Sequence, residues 1–282
     1  MGLFEQVLAA QDFDPRGFVP FEIGAERAGW IRRESVARLR GWPQVLEFPQ
    51  EGVRLSPALT DEAARTDALA DVARGLAREG AITGWRDETY AVRIRQESAP
   101  LCHIERAAVR FFGLTAAAAH LNGYTAKTGG MLVWLARRSS SKAIDPGLLD
   151  NLVGGGIASG QDAWQTLLRE CGEEAGMDRE LAMQAQPTGV FQVCRAVPEG
   201  LHREILHVYD LELRDDFTPR NIDGEVSEFV RLDAAALLAR IAQGELAIEA
   251  SVVALEFLLR HRAIALPDPG IRAALDRCRP PS

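Results

Sequence analysis

Three glutamates, Glu170, Glu173 and Glu174, lie within one five-residue segment of the stretch GGGIASGQDAWQTLLRECGEEAGM, residues 154–177. If this segment is a helix that ends at Gly176, the three carboxylates lie on one face within one turn. Like charges at these spacings repel each other and weaken a helix by about 0.2–0.5 kcal/mol per pair. The residues leave two explanations open: a solvated acidic face, or a face on which a divalent cation binds.

The helix that carries these glutamates is predicted over residues 162–175. The apolar residues that recur there at the helical period are Trp164, Leu167, Leu168, Cys171 and Ala175. The glutamates lie along the edge of this stripe, where a carboxylate is partly removed from water and an uncompensated charge is costly. Magnesium and manganese take oxygen ligands and bridge to phosphates through carboxylates. The glycine run at residues 154–156 lets backbone groups approach such a ligand closely.

The spacing of these residues resembles the Nudix box: Gly, five residues, Glu, seven residues, then Arg-Glu-hydrophobic-x-Glu-Glu-x-Gly-hydrophobic. The positions in register are Gly155, Arg169, Glu170, Glu173, Glu174 and Gly176, with Cys171 and Met177 in the hydrophobic places. One position departs from the pattern, since Gln161 stands where the first Glu is expected, next to Asp162. A match of this length is far more specific than a short glycine motif.

The resemblance implies a fold, a cofactor and a reaction. The implied fold class is α/β (α+β): a Nudix α/β/α sandwich with a mixed sheet, preceded by a smaller α+β N-terminal domain. The implied cofactor is Mg²⁺ or Mn²⁺, with Glu170 and Glu174 as direct ligands and Glu173 as a ligand that is direct or bridged by water. Gly155 matches the position that lends a backbone carbonyl to the metal, and Arg169 matches the residue that orients the glutamates by a salt bridge. The implied reaction is metal-dependent hydrolysis of a diphosphate linked to another moiety.

The resemblance extends along nearly the whole chain, to the Nudix group related to the region fused to fungal thiamine pyrophosphokinase. The segments that carry it are GWRDETYAV, ERAAVRFFGL, HLNGYT, ARRSSSK, PGLLDNLVGGGIASG, DGEVSEFVRLD and FLLRH. The implied substrates are thiamine diphosphate and its oxidised or damaged analogues, cut to the monophosphate and inorganic phosphate. One departure concerns the substrate pocket: the group usually has Pro-Asn before its last helix, and this chain reads AIEASVV.

A general base is needed to deprotonate the attacking water, and a carboxylate near a metal suits that role. Glu173 is one candidate within the helix. The segment DGEVSEFV offers Glu225 and Glu228 at a loop and strand entry, and of these Glu225 is preferred. A solvent-facing strand edge explains this acidic pair equally well.

The segment ARRSSSK contains three candidates for binding the diphosphate, Arg137, Arg138 and Lys142. Guanidinium groups match phosphate oxygens in geometry and charge. A solubilising loop explains these three residues equally well.

Two other functions stay open. An isomerase of the isopentenyl diphosphate type also binds metal and diphosphate but needs a reactive cysteine; Cys194 is the candidate, and its surroundings VFQVCRAV provide no activating partner. A non-catalytic ligand-binding module is the second alternative, suggested only by Gln161. Because the chelating carboxylates are retained, hydrolysis is the preferred interpretation.

The elements around the acidic helix indicate an N-terminal accessory domain over residues 1–115 and a Nudix domain over residues 116–282. In the first region, helices are predicted in AERAGWIRRESVARLRGW, LTDEAARTDALADVARGLAREG and HIERAAVRFFGL, with Thr60 as the cap of the second. In the second, strands are predicted in AHLNGYTAK, GMLVWLARR, LDNLVGGGI, PTGVFQVCRAV and EILHVYDLEL, and helices in DAAALLARIAQGE and SVVALEFLLRHR. The alanine run 116–119 is interpreted as the domain connection or as part of a helix. The accessory domain either covers the substrate cleft or builds a homodimer interface.

The composition is that of an ordinary soluble globular protein: 282 residues, 47% hydrophobic and 26% charged, with a net charge of -8. The negative charge argues against a nucleic acid polymer or a membrane as partner and favours a small-molecule diphosphate substrate. The four cysteines, at 102, 171, 194 and 278, have no disulfide or zinc spacing and are expected to be reduced. Since the N-terminus lacks a signal-peptide pattern and no segment is apolar enough for a membrane span, the expected location is cytoplasmic.

Overall fold

The computed structural model describes residues 2–265 and 268–280. Its central element is a seven-stranded mixed sheet. The strands of this sheet are β7 (Thr115–Lys127), β8 (Gly130–Arg138), β9 (Leu149–Asn151), β10 (Val153–Gly156), β11 (Gln186–Val197), β12 (Gly200–Glu212) and β13 (Val226–Asp233). The main path runs β11-β12-β7-β8-β13, with β10 paired to β7 and β9 to β8. β12 and β7 are parallel, while the other pairs are antiparallel, which makes the sheet mixed.

Helices cover both faces of this sheet. The helices of this half are α4 (Ala163–Ala175), α5 (Arg179–Ala182), α6 (Ala234–Ala242), α7 (Ile248–Arg260) and α8 (Pro269–Arg277). Neighbouring residues of β7 point to opposite faces: Ala118 belongs to the core under α6 and α7, and Ala119 belongs to the core under α4. This period-two alternation gives the sheet an apolar surface on each side. The predicted α/β/α sandwich is therefore confirmed.

The N-terminal region is α+β, as predicted. A four-stranded sheet has the order β2-β1-β4-β3, and a separate antiparallel pair is formed by β5 and β6. These strands are β1 (Phe18–Ile23), β2 (Glu26–Arg32), β3 (Leu46–Glu47), β4 (Val53–Leu55), β5 (Thr89–Val92) and β6 (Cys102–Glu105). The helices are α1 (Leu3–Ala9), α2 (Val36–Leu39) and α3 (Glu62–Arg78). The apolar side chains of these strands, α2 and α3 form a core of their own, separate from the two cores of the seven-stranded sheet.

The first helix does not follow this division of the chain. Val7 and Ala10 are fully buried in the core that contains α6, α7 and α8. The segment after α1 also pairs with the outer strand of the large sheet, because the Cys194 amide donates to the Ala10 carbonyl and the Ala196 amide to the Asp12 carbonyl, both at 2.8 Å. The start of the chain therefore packs with the second half of the protein.

Several local predictions for the N-terminal region are wrong. The segment from Ala25 forms β2 followed by the four-residue α2, because its buried residues pair with β1 in the small sheet. The segment from His103 forms β6 and a 3₁₀ turn, Arg106–Ala108. The cap of α3 is Asp61, whose carboxylate accepts from the Ala64 amide at 2.8 Å. In each case pairing or capping partners outweigh helical periodicity.

The alanine run 116–119 is also not helical. It forms the start of β7 and pairs in parallel with β12, with Leu206 opposite Ala118 and His207 opposite Ala119. Small side chains fit here because both faces of the strand are covered. In the described residues, no helix is long and apolar enough to cross a lipid bilayer.

We expect Gly113→Ala to destabilise the protein by about 2 kcal/mol or more, the scale of a strained backbone combined with a steric clash. Gly113 has φ +57°, and a Cβ atom there would lie 2.1 Å from the Trp30 carbonyl oxygen. The measurement is the free energy of unfolding in urea. Gly41→Ala is the matched control, because no atom lies within 4 Å of its added Cβ. An equal loss of unfolding free energy in the two variants would contradict the expected clash between residue 113 and the Trp30 carbonyl.

Candidate active site

The acidic helix α4 has well-defined ends. Asp162 caps it, since its carboxylate accepts from the Gln165 amide at 2.7 Å, and Gly176 ends it in the left-handed conformation with φ 64°. Burial of Leu167 and Cys171 in the core beneath fixes the rotation of the helix about its axis. This rotation places Glu170 and Glu174 against the sheet, at 8% and 5% exposure, and leaves Glu173 further out.

Glu170, Glu173 and Asp223 form a carboxylate cluster in which one oxygen of each lies within 4.8 Å of the others. The loop that carries Asp223 is held to α4, because the Asp223 amide donates to the Glu173 carbonyl at 3.3 Å. Arg169 pairs with Glu170 at 2.8 Å and with Glu173 at 2.6 Å. Burial raises the pKa of Glu170, against the opposing effect of Arg169. Burial also raises the pKa of Asp223. An oxygen-only cluster of this density matches the ligand preference of a divalent cation.

Glu174 lies beside this cluster in a separate environment. One carboxylate oxygen accepts from the Gly154 amide at 2.9 Å, and the other is 3.7 Å from the Lys142 ammonium. Burial raises the pKa of Glu174 to about 8, although Lys142 opposes the shift. The three glutamates predicted as ligands are thus close along the helix, but the cluster includes Asp223 in place of Glu174.

The glycine strand β10 passes directly over the helix. A Cβ atom on Gly155 would lie 2.2 Å from a Glu170 carboxylate oxygen, so the Glu170 carboxylate packs against bare backbone. The neighbouring glycines point to the opposite face, where a Cβ on Gly154 would meet His120 at 3.3 Å and a Cβ on Gly156 would meet the Tyr90 hydroxyl. β10 therefore separates the carboxylates from the space on its other side.

The predicted base and phosphate-binding residues lie around Lys142. Lys142 is buried to 10% side-chain exposure and forms an ion pair with Glu225, the preferred base. Arg138 pairs with Asp150 at 2.7 Å. Arg137 pairs with Glu228 at 2.7 Å. Arg138 and Lys142 line a cavity next to β10, and Arg137 is not among the described residues that line it.

This cavity, of about 160 Å³, lies between the two halves of the chain. Its walls include all three glycines of β10 and the start of α7, where Ala247 and Glu249 stand in the segment AIEASVV. The N-terminal region provides Tyr90, Arg106 and Arg110. A concave site with convergent polar groups beside a carboxylate cluster has the layout of a substrate pocket.

Other residues of interest in the sequence have structural partners. Gln161 accepts from the Thr166 hydroxyl at 3.1 Å and lies 3.5 Å from the Arg169 guanidinium, so it reaches the helix from the position of the missing glutamate. His207 contacts Gln96 at 2.7 Å. Cys194 is half-buried in β11, and burial raises the pKa of its thiol.

Sequence reasoning missed three contributors to the site. Asp223 begins the acidic segment that supplied the candidates Glu225 and Glu228, but it was not itself selected. Tyr90 and Arg110 lie in the segments GWRDETYAV and ERAAVRFFGL, which carry the family resemblance, but only the docking of the two halves brings them to the cavity. Nothing within those segments singled out these two residues.

Family models and curated proteins match both halves of the chain. The NUDIX domain model matches residues 114–250, and a model described as a domain of unknown function (DUF4743) matches residues 3–116. Nudix hydrolase 24, chloroplastic, of Arabidopsis thaliana is 37% identical, over 90% of this chain and 70% of its own length. Nudix hydrolase 20, chloroplastic, of the same plant is 34% identical, over 93% of this chain and 73% of its own length. A crystal structure of a Deinococcus radiodurans protein is 28% identical, covers 57% of this chain and 92% of that chain, and has a TM-score of 0.43.

Fold, carboxylate helix and sequence similarity together define a hydrolase that acts on diphosphate-type substrates. The chain belongs to the Nudix hydrolase family, with a DUF4743 region before its Nudix domain. Enzymes of this family generally use divalent metal ions, and the cluster of Glu170, Glu173 and Asp223 has the ligand chemistry that such an ion requires.

Proposed function

We propose that the enzyme hydrolyses thiamine diphosphate-type substrates, with oxidised thiamine diphosphate cut to the monophosphate and inorganic phosphate. The observation that carries this proposal is the cavity beside β10: Gly155 lies against Glu170, and all three glycines of the strand line the cavity. Because Lys142 lines the cavity and lies 3.7 Å from Glu174, a diphosphate near the carboxylates can place its organic half there. The resemblance to the thiamine-related Nudix group supports the choice of that organic half.

For the metal we propose Mg²⁺ or Mn²⁺, held by Glu170, Glu173 and Asp223, with Glu174 and the Gly155 carbonyl as further candidate ligands. When bound, the ion neutralises phosphoryl charge and lowers the pKa of a coordinated water. Arg169 keeps the first two carboxylates together through its paired hydrogen bonds.

Around this centre, Glu225 remains the proposed general base and Glu173 the alternative. Glu225 immediately precedes β13 and is paired with Lys142, which lies 3.7 Å from Glu174. Arg138 and Lys142 are proposed to contact the diphosphate, since both line the cavity. Arg137 is a weaker candidate because it pairs with Glu228 outside that cavity.

The alternatives are less well supported. An isomerase needs an ionisable thiol beside the substrate, but burial raises the pKa of Cys194, and Cys194 is not among the described residues that line the cavity. For a non-catalytic module the only hint was Gln161, and this residue hydrogen-bonds within the helix it precedes.

For partners, we propose a small-molecule diphosphate rather than a nucleic acid polymer or a membrane, supported by the net charge of -8. The four cysteines are free thiols, which supports a reducing compartment, and we retain the cytoplasm as the proposed location. The names of the two plant relatives place those proteins in the chloroplast. A homodimer remains a prediction that light scattering would test.

We expect phosphate release from thiamine diphosphate or oxo-thiamine diphosphate to require Mg²⁺ or Mn²⁺ and to fall more than tenfold on chelation, because the carboxylate cluster alone leaves phosphate charge uncompensated. The screen also contains ADP-ribose, 8-oxo-dGDP, 8-oxo-dGTP and NADH. Release from one of these and from neither thiamine compound would contradict the substrate proposal. Isomerised diphosphate without release would favour the isomerase, and binding without turnover the ligand-binding module.

A further inference from the structure

The cavity contains two hydrogen-bond donors that have no partner within the protein. Among residues 2–265 and 268–280, the Arg110 guanidinium has neither a hydrogen bond nor an ion pair, and the Tyr90 hydroxyl has no hydrogen bond. Both belong to the DUF4743 region, and both line the cavity. Tyr90 is 7% exposed and Arg110 is half-buried. Because both groups line the cavity and have no partner among the described residues, each is free to donate to a ligand that accepts a hydrogen bond.

Arg110 is held in place by its backbone. Its carbonyl accepts from the Leu201 amide at 2.9 Å, and a Cβ atom on Gly200 would lie 2.1 Å from that carbonyl oxygen. The peptide of Arg110 is thus pressed against the turn between β11 and β12, while its side chain faces the cavity. This anchoring fixes the backbone position from which the Arg110 side chain enters the cavity.

Of the three acidic groups that act on Arg110, two are already paired with other cations, while Glu199 at the cavity wall has no ion pair among the described residues. Glu249 is 3.1 Å from Arg195 and 3.0 Å from His202, and Glu204 is 3.4 Å from His202. Burial lowers the pKa of Arg110, and the nearby carboxylates oppose that shift. An anionic ligand group would be repelled by these carboxylates, and a cationic ligand group would be repelled by the unpaired Arg110 guanidinium. A neutral oxygen acceptor avoids both penalties.

We propose that Arg110, with Tyr90, recognises a neutral carbonyl oxygen on the organic half of the substrate, so that the DUF4743 region determines specificity in the Nudix reaction. This inference rests on the proposed function for its substrate pair. Thiamine diphosphate carries a cationic ring without this oxygen, while the oxo analogue carries a neutral ring with a carbonyl. The two residues are specificity determinants, and the hydrolytic step belongs to the carboxylates on the other face of β10.

The test compares Arg110→Met and Tyr90→Phe with wild type on oxo-thiamine diphosphate and thiamine diphosphate. We expect Arg110→Met to raise KM for the oxo compound about tenfold, the scale of one hydrogen bond to a charged group, with kcat within threefold of wild type. KM for thiamine diphosphate is expected to stay the same or fall. Tyr90→Phe should act in the same direction with a smaller change.

Arg38→Met is the matched control, because Arg38 is an exposed arginine of the same region away from the cavity. The melting temperature of Arg110→Met should equal or exceed that of wild type, since the guanidinium has no protein partner to lose. A large fall in melting temperature would assign Arg110 a structural role and overturn the inference. So would an unchanged KM, or an equal rise in KM for both compounds.

A failure of the proposed function is recognised separately, as wild type that releases phosphate from neither thiamine compound. In that case the same variants are measured on 8-oxo-dGDP and dGDP, which also differ by one ring carbonyl. A selective rise in KM for 8-oxo-dGDP would support the role of Arg110 with another heterocycle. Equal effects on the two nucleotides, or no hydrolysis of either, would overturn it.

Discussion

Glu174→Gln is expected to lower kcat by at least two orders of magnitude, the scale for removal of a central electrostatic group. The substitution removes the negative charge and keeps the size of the side chain. It also keeps an oxygen that can accept from the Gly154 amide, which lies 2.9 Å from the Glu174 carboxylate oxygen in wild type. Steady-state phosphate release measures this effect. A loss below tenfold would mean that the metal and the water are held without Glu174, by the cluster that contains Asp223.

The same substitution is expected to stabilise the metal-free protein at alkaline pH. Because the pKa of Glu174 is raised from 4.5 to about 8 by burial, the folded protein holds a proton between these values that the unfolded chain releases. Stability therefore falls as pH rises through this window, by on the order of a few kcal/mol. Glutamine does not ionise, so this loss is absent. The measurement is thermal melting at pH 5 and pH 8 with EDTA. Between these pH values, the melting temperature of wild type should fall further than that of the variant.

Gly155→Ala is expected to lower kcat about 100-fold, the scale for a misplacement of a catalytic group by roughly 1 Å. The added Cβ atom would lie 2.2 Å from a Glu170 carboxylate oxygen and 2.3 Å from the carboxylate carbon. Since α4 is fixed by its buried face, the Glu170 side chain must swing out of the cluster. The affinity for Mn²⁺, measured by titration, should fall together with kcat.

Gly130→Ala provides the control for this experiment, because it also lies in the large sheet and its added Cβ has no neighbour within 4 Å. It is expected to retain wild-type kcat and Mn²⁺ affinity. If Gly155→Ala kept its activity within threefold, β10 must be able to move away from the helix, and the close contact between glycine and carboxylate would carry no function.

The acidic helix was predictable because all its information is local. The spacing of Arg169, Glu170 and Glu174 identifies the motif, and the stripe that contains Leu167 and Cys171 fixes which face is buried. The long strands β7, β8, β11 and β12 were also predicted, whereas β9 and β10 were expected as one strand and β13 only as a strand entry. Local periodicity failed in the N-terminal region, where the apparent helical period of β2 conceals a hairpin with the neighbouring strand β1.

The remainder of the site depends on tertiary contacts. Asp223 joins Glu170 and Glu173 because its loop is hydrogen-bonded to the end of α4, which no spacing rule indicates. The pairing of Lys142 with Glu225 and Glu174 likewise appears only when β8 and β13 meet α4. Sequence reasoning treated Lys142 as a phosphate ligand and Glu225 as a base, and the structure links them in one ion pair.

Because α1 stands at the start of the chain but packs with the second half, the Nudix region is not structurally complete without it. A truncated protein that began at residue 114 would contain the whole NUDIX match, yet it would lose Val7 and Ala10 from beneath α8 and the hydrogen bonds that Ala10 and Asp12 accept from β11. It would expose an apolar groove and an unpaired strand edge, the two features that promote aggregation. The first helix thus completes the core and covers the outer strand of the Nudix half, so the boundary between the two family matches does not mark a clean division of the structure.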